Sequence, residues 1–394
     1  MPEVTVSNPY DGVDWDDVEH HQAEWHHHGD YGVDGGHEVV DMYTDLGYTI
    51  LCVAQHARQH VPWPWEEWDQ YVRFADDDGP AGWEVRDPEE EGVIAFPGAE
   101  YHYAEHIMSI FSTGNHLDQE NGRDALDTIA EITDPELTDG EHVPPELGGL
   151  AVPTHVHDYY DDAAAEWERF AVWFDEFSLE DGLLGFDVYS SRPFRFDGPE
   201  PDRIPDYAVD LWDELLVRLM PERPIWGTGV DDGHGSLGPG VSAGRSTTEV
   251  LLHEDEFDPS DQSGSREHVA SALREGRFFA QGRTDWTAAG RDVDDPWEHP
   301  RVERIAVADD DAAIGIEASS YDEIAWISGG EVVETGQVLE VDESHEPYVR
   351  AVLSNENAET ATQPFGVAAE DEGNNPHHPA GFEFVLEPDR SYGS

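Results

Sequence analysis

The sequence predicts an α/β barrel followed by a small all-β domain, and three observations lead to this prediction. Between about residues 45 and 234, short apolar segments of strand length repeatedly end in polar residues that can bind metal. Segments with apolar residues at helical spacing accompany them at residues 36–46, 163–177 and 206–219. From residue 301 onward, short alternating segments follow one another at hairpin spacing, which is typical of an antiparallel β domain.

Each of these apolar segments is followed by polar residues that are candidates for the functional site. Residues 49–54 lead to Gln55 and His56, residues 92–97 to Glu100 and then His106, residues 148–153 to His155, residues 182–186 to Asp187, and residues 224–230 to Asp231, Asp232 and His234. Repetition of strand, polar end and helix favours parallel strands joined by crossover helices. In such barrels the functional groups lie at the C-terminal ends of the strands.

Two polar stretches divide the chain. The acidic, proline-containing stretch 119–146 predicts a surface insertion, and the polar stretch 290–300 predicts a linker. We therefore expect a barrel domain over residues 1–289 and a β domain over residues 301–394.

The charge of the chain indicates a habitat more than a function. There are 89 acidic residues against 20 basic ones, and every basic residue is Arg. The aromatic content of 11% argues against disorder, so we expect a globular protein from a high-salt organism, where the Debye length shrinks to about 3 Å. The lack of a basic surface argues against nucleic-acid binding.

Other features concern the compartment and the metal chemistry. The single cysteine, Cys52, excludes intramolecular disulfides and a cysteine-based zinc site. We see neither a signal peptide nor an apolar run of membrane-spanning length. We expect a cytoplasmic protein that does not associate with membranes, and the sequence leaves its oligomeric state open.

The densest candidate site is the run from Glu24 to Asp30, with three consecutive histidines. In an extended segment, side chains at positions i and i+2 project to the same side. His26 and His28 are therefore able to bind one metal ion, while His27 points elsewhere. Imidazole and carboxylate ligands together suit zinc, manganese or iron, and a glutamate that bridges two ions is typical of multinuclear hydrolytic sites.

These motifs, in this order, resemble those of the PHP (polymerase and histidinol phosphatase) superfamily, over about residues 20–285. The histidine run with Asp34-Gly35 resembles its opening D-x-H-x-H motif, and Val230 to His234 resembles its S-D-A-H motif. The resemblance implies a distorted (β/α)7 barrel, here in a subgroup with a C-terminal β domain, that holds two or three divalent metal ions (Zn, Mn or Fe). It implies nine metal ligands: His26, His28, Asp34, His56, Glu100, His106, His155, Asp232 and His234.

The resemblance also implies an activity, metal-dependent hydrolysis by metal-activated water, and we expect a phosphoester of a small, anionic molecule as substrate. Glu100 is the expected bridging catalytic residue, His157 a candidate proton donor, and Arg58 a candidate anion-binding residue. Gln55 stands where the family has Asp, which puts metal affinity or rate in doubt. The alternatives are hydrolysis of a carboxylic ester, carbamate or amide at the same site, and a non-catalytic metal-binding or interaction protein.

Overall fold

The computed structural model describes residues 4–28, 36–54, 87–96, 98–102, 106–111, 124–134, 148–156, 163–179, 181–190, 207–234, 243–283, 298–308 and 313–369. Six helices lie in these ranges: α1 (Gly36–Asp45), α2 (Pro88–Glu91), α3 (Ala125–Thr133), α4 (Ala163–Glu176), α5 (Tyr207–Leu219) and α6 (Gln262–Glu275). The three helices predicted at residues 36–46, 163–177 and 206–219 are confirmed as α1, α4 and α5, with bounds that differ by a single residue.

Twelve strands belong to the N-terminal part of the described chain. They are β1 (Val4–Ser7), β2 (Val18–His28), β3 (Ile50–Ala54), β4 (Ile94–Ala95), β5 (Gly98–His102), β6 (His106–Ile110), β7 (Leu150–Pro153), β8 (Gly185–Ser190), β9 (Trp226–Val230), β10 (Gly233–His234), β11 (Ser246–His253) and β12 (Phe278–Arg283). Five of them, β3, β4, β7, β8 and β9, overlap the apolar segments that precede candidate ligands in the sequence.

Eight further strands follow in the described residues after 298. They are β13 (Arg301–Ala308), β14 (Ala313–Ser319), β15 (Glu323–Ser328), β16 (Glu331–Thr335), β17 (Val338–Glu340), β18 (Tyr348–Ser354), β19 (Ala358–Ala361) and β20 (Phe365–Ala369). Their pairing with one another is antiparallel throughout.

The largest sheet follows the order β1-β20-β18-β19-β12-β11-β2-β3-β4, and β10 and β15 join it on β2 and β18. Within it, β2, β3 and β4 are parallel neighbours, while β11 pairs antiparallel with both β2 and β12. Separate small sheets contain β13-β14-β17, β5-β6-β7 and β8-β9. The pairing of β19 with β12 carries the large sheet from the N-terminal strands into the C-terminal ones.

The prediction of a (β/α)7 barrel with a small β domain behind it is wrong. The described residues are strand-rich, with 44% strand and 27% helix, and their strands form no closed barrel. The physical reason is visible at β5 and β6, where three residues separate the two strands and the pairing is antiparallel. A parallel crossover needs a connection of about a dozen residues or more, so this spacing permits only a hairpin.

Most of the predicted insertion and most of the predicted linker lie outside the described residues. Of the stretch 119–146, the described part is residues 124–134, which contain α3. Of the stretch 290–300, residues 298–300 are described. The division into two domains therefore stays a prediction. No helix among the described residues is long and apolar enough to span a membrane.

Two hydrophobic clusters lie on opposite sides of β11 and β12, because successive strand side chains point to opposite faces. Val250, Leu252 and Phe278 pack with Trp25 of β2 on one side. On the other side, Leu251 packs with Phe279 and with apolar residues of the C-terminal strands, such as Trp326 and Val349. Burial on both faces explains the continuous apolar runs of these strands.

His21 gives the fold a dependence on pH. Its ring stacks on Phe257 with a centroid separation of 4.1 Å, and Nδ1 lies 3.0 Å from Oγ1 of Thr49. Burial, with a smaller contribution from His20, lowers the pKa of His21 to about 4. The folded state therefore favours neutral His21, and this contribution to stability is present above about pH 6.5 and is lost as the pH falls toward 4.

We expect this loss to be about 3 kcal/mol of unfolding free energy between pH 6.5 and 4. The His21→Phe variant keeps the ring contact with Phe257 and removes the titrating group. Its unfolding free energy, from denaturant titrations at several pH values, should rise relative to the wild type as the pH falls. The matched control is His268→Phe, at a half-exposed position. If the difference in unfolding free energy between the wild type and His21→Phe stays constant over this pH range, His21 does not bind a proton on unfolding.

Candidate metal centre

Five candidate ligands from five segments of the chain converge on one buried cluster. His26 belongs to β2, Glu100 to β5 and His106 to β6, while His155 and Asp232 each follow the end of a strand by two residues. Nε2 of His26 lies 3.4 Å from Oε1 of Glu100 and 3.3 Å from Oδ1 of Asp232. We call these five residues the ligand cluster.

Glu100 lies at the centre of the three histidines. Its Oε1 is 2.7 Å from Nδ1 of His106 and 2.9 Å from Nε2 of His155. The β5–β6 hairpin explains the first contact: His102 pairs with His106 and Glu100 with Met108, so Glu100 and His106 are diagonal neighbours on one face. The contact to His155 follows from the antiparallel pairing of β6 with β7.

His155 and Asp232 both have left-handed backbone conformations, with φ values of 30° and 45°. For residues other than glycine, such conformations cost of order 1 kcal/mol or more and persist only where the surrounding structure holds them. Two of the five members of the ligand cluster thus carry backbone strain. Strain of this kind collects at functional sites, and here it aims two side chains at Glu100 and His26.

The cluster is almost closed to solvent. His26, Glu100, His155 and Asp232 are buried, whereas 13% of the His106 side chain is exposed. His106 is thus the most solvent-exposed of the five side chains.

The electrostatics of the cluster favour a bound cation. Burial alone would lower the pKa of His26, but the carboxylates of Asp232 and Glu100 hold this pKa well above its usual range. Asp187 of β8 adds a third buried carboxylate, 3.7 Å from Nδ1 of His26, and burial raises the pKa of Asp187. Burying several carboxylates together is costly unless positive charge compensates them.

The donor atoms also suit a divalent metal. They form two groups, His26 with His155 and Asp232, and Glu100 with His106 and His155, and within each group the donor atoms lie within 4.8 Å of one another. Histidine nitrogen together with carboxylate oxygen is a ligand set for zinc, manganese or iron. The described residues thus contain buried His, Asp and Glu groups that could bind metal.

The other predicted site residues divide into two sets. The backbones of His28 and His234 are neighbours in the parallel pair β2–β10, where His28 pairs with His234 and His27 with Gly233. Asp34, His56, Arg58 and His157 lie outside the described residues, as does Gln55. His27 points away from the ligand cluster, as expected, and its Nδ1 lies 2.9 Å from the hydroxyl of Tyr43 on α1.

The sequence prediction includes Glu24 and Asp231 as members of the runs around His26 and Asp232 but gives them no role of their own. Glu24 and Asp231 are buried and bond to backbone groups next to ligands, as described below. Their positions beside His26 and Asp232 were the only available signal, and a neighbouring acid is a weak signal in so acidic a chain.

Comparison with known proteins adds no relative. A scan against protein-family models finds no matching family, and a search of curated proteins finds no match. The chemistry of the ligand cluster is therefore the basis for a functional proposal.

Proposed function

We propose that this protein is a metal-dependent hydrolase and that its substrate is a phosphoester of a small, anionic molecule. The observation that carries the proposal is the ligand cluster: five side chains between positions 26 and 232 meet in one buried place, in two groups of donor atoms within 4.8 Å. Divalent metal ions bound there would activate a water molecule and polarise a phosphoryl oxygen.

The side chains of the cluster have distinct tasks in this proposal. Glu100 belongs to one ligand group and also touches His26 of the other, so its carboxylate lies between the two groups. Asp187 holds the imidazole of His26 from the Nδ1 side, and the hydroxyl of Thr228 in turn donates a 2.7 Å hydrogen bond to Oδ1 of Asp187. Such outer partners fix the orientation of a ligand imidazole.

In this proposal the substrate would approach from the side of His106, because His106 is the most exposed of the five ligands. Arg58 and His157 are retained in the proposal as the anion-binding residue and the proton donor. The order of the motifs, with its resemblance to the PHP superfamily, supports hydrolysis as the reaction class and zinc, manganese or iron as the metal.

Metal removal tests the proposal. The full chain, kept in molar salt, is stripped with EDTA and reloaded with manganese or zinc, and hydrolysis of an aryl phosphate is measured. We expect stripping to reduce turnover to the rate without protein and reloading to restore it. The variant His155→Gln should stay inactive after reloading, while His268→Gln, the same change at a half-exposed position, should respond like the wild type.

The same samples distinguish the alternatives. Metal-dependent turnover of an aryl acetate without turnover of the aryl phosphate would favour an ester, carbamate or amide substrate. Metal binding without turnover of either substrate would favour a non-catalytic protein. A turnover rate that changes neither after EDTA treatment nor after reloading with metal would contradict metal dependence.

A further inference from the structure

Glu24 joins two segments that carry candidate ligands. It is buried on β2, two residues before His26. One carboxylate oxygen, Oε1, accepts a 2.6 Å hydrogen bond from the backbone N–H of His26. The other, Oε2, accepts a 3.0 Å hydrogen bond from the backbone N–H of Asp231, which precedes the ligand Asp232. A single side chain thus ties the backbone beside two ligands that lie far apart in sequence.

Asp231 extends this connection to the backbone before β11 and to α1. Its buried carboxylate accepts hydrogen bonds from the backbone N–H groups of Gly244, Arg245 and Ser246, at 2.5, 2.9 and 2.9 Å. The hydroxyl of Tyr43 donates a further bond of 2.8 Å. The backbone on the N-terminal side of the strained residue Asp232 is therefore fixed by the hydrogen bonds of Asp231, while the side chain of Asp232 contacts His26.

We propose that Glu24 is a positioning residue for the metal centre, which sets the approach of His26 to Asp232 through its two backbone hydrogen bonds. The inference rests on the proposed function, since it concerns the geometry of the same ligands. The 3.3 Å between Nε2 of His26 and Oδ1 of Asp232 depends on where β2 lies relative to the segment after β9. The carboxylate of Glu24 links these two segments directly, in addition to the backbone pairing of β2 with β10.

A carboxylate is needed for this task. Each oxygen of the Glu24 carboxyl accepts a hydrogen bond from one backbone N–H, so one side chain satisfies two N–H groups at once. The amide of glutamine has one accepting oxygen, and its NH₂ group would face an N–H donor. Glu24→Gln therefore keeps the size of the side chain and removes one of the two connections.

The test is a titration of the full chain with cobalt(II) alone, for the wild type and for Glu24→Gln. The d–d absorption bands of the bound cobalt monitor the titration. We expect cobalt binding to weaken about 10- to 100-fold and the absorption bands to shift, as for other outer-partner changes at metal sites. The matched control is Glu249→Gln, a buried glutamate on the adjacent strand β11, whose carboxylate lies 3.2 Å from Nδ1 of His20. This control should bind cobalt like the wild type.

The outcomes separate this inference from the proposed function. A wild type that binds no cobalt contradicts both. If the wild type and Glu24→Gln have the same cobalt affinity and the same absorption bands, the role of Glu24 is overturned and the proposed function is not. An equal loss of cobalt affinity in Glu249→Gln would also overturn the role of Glu24. If Glu24→Gln does not fold, Glu24→Asp replaces it; this variant keeps the charge, shortens the reach and should also bind cobalt more weakly, whereas unchanged binding overturns the inference.

Discussion

Replacing Glu100 by Gln is expected to abolish metal-dependent turnover and to weaken metal binding by more than about 100-fold, beyond the 10- to 100-fold effect of outer partners. Glu100 touches His26, His106 and His155, so its carboxylate charge acts on all three histidines of the ligand cluster. The substitution keeps the shape of the side chain and removes this charge. Isothermal titration with zinc or manganese measures the loss.

The stability of the same variant provides a second, independent signature. Added metal should raise the unfolding temperature of the wild type alone, because a ligand that binds only the folded state stabilises it.

The control for this experiment is Glu254→Gln, at an exposed position on the turn after β11. It should match the wild type in metal affinity, turnover and metal-induced stabilisation. Wild-type metal affinity in Glu100→Gln would show that Glu100 is not a ligand.

The second large effect is expected at the contact between α5 and the C-terminal strands. Asp213 and Arg350 form a buried bidentate ion pair, with Nε–Oδ1 and Nη2–Oδ2 distances of 2.8 and 2.7 Å. The hydroxyl of Tyr348 donates a 2.8 Å bond to the same carboxylate, and the guanidinium of Arg350 lies 4.8 Å from the centre of the Trp212 ring. Asp213 thus fixes β18 to α5.

We expect Asp213→Asn to lower the unfolding free energy by about 3–5 kcal/mol, because it leaves the Arg350 charge buried without its counterion. Equilibrium denaturation in molar salt measures this loss. The control is Asp16→Asn, which breaks the exposed ion pair of Asp16 with Arg304 and should cost less than about 1 kcal/mol. Equal, small losses in the two variants would contradict the structural importance of the buried pair.

The local elements were predictable from the sequence because their signals are local. The helix α5 has apolar residues at helical spacing, and its bounds differ from the predicted range at one end by one residue. Strands such as β3 and β9 were visible as short apolar runs. Each of these signals lies within one segment and needs no knowledge of its partner.

The arrangement of the strands was not predictable in the same way. An apolar run that ends in a polar residue has the same appearance in a parallel and in an antiparallel strand, so the barrel prediction rested on a pattern that does not determine direction. The short connection between Glu100 and His106 is the sequence signal for a hairpin, and the barrel prediction does not take account of it. Contacts such as Asp213 with Arg350, 137 positions apart, have no local signal.

Five of the proposed metal ligands, including Glu100 and His155, were identified from residue type and order and lie together in the described part of the chain. Their distances depend on backbone features that the sequence does not indicate, such as the left-handed conformations of His155 and Asp232. The sequence therefore indicates which residues come together, and the structure shows how they are held.

The central claim is that the ligand cluster binds divalent metal, and equilibrium dialysis of the wild-type chain followed by elemental analysis tests it most directly. Dialysis is performed in molar salt against zinc or manganese, with Glu100→Gln in a parallel chamber. We predict two or three ions retained per wild-type chain, in keeping with the two groups of donor atoms, and fewer in the variant. Retention of no metal by the wild type, or of the same amount by both proteins, would contradict the claim.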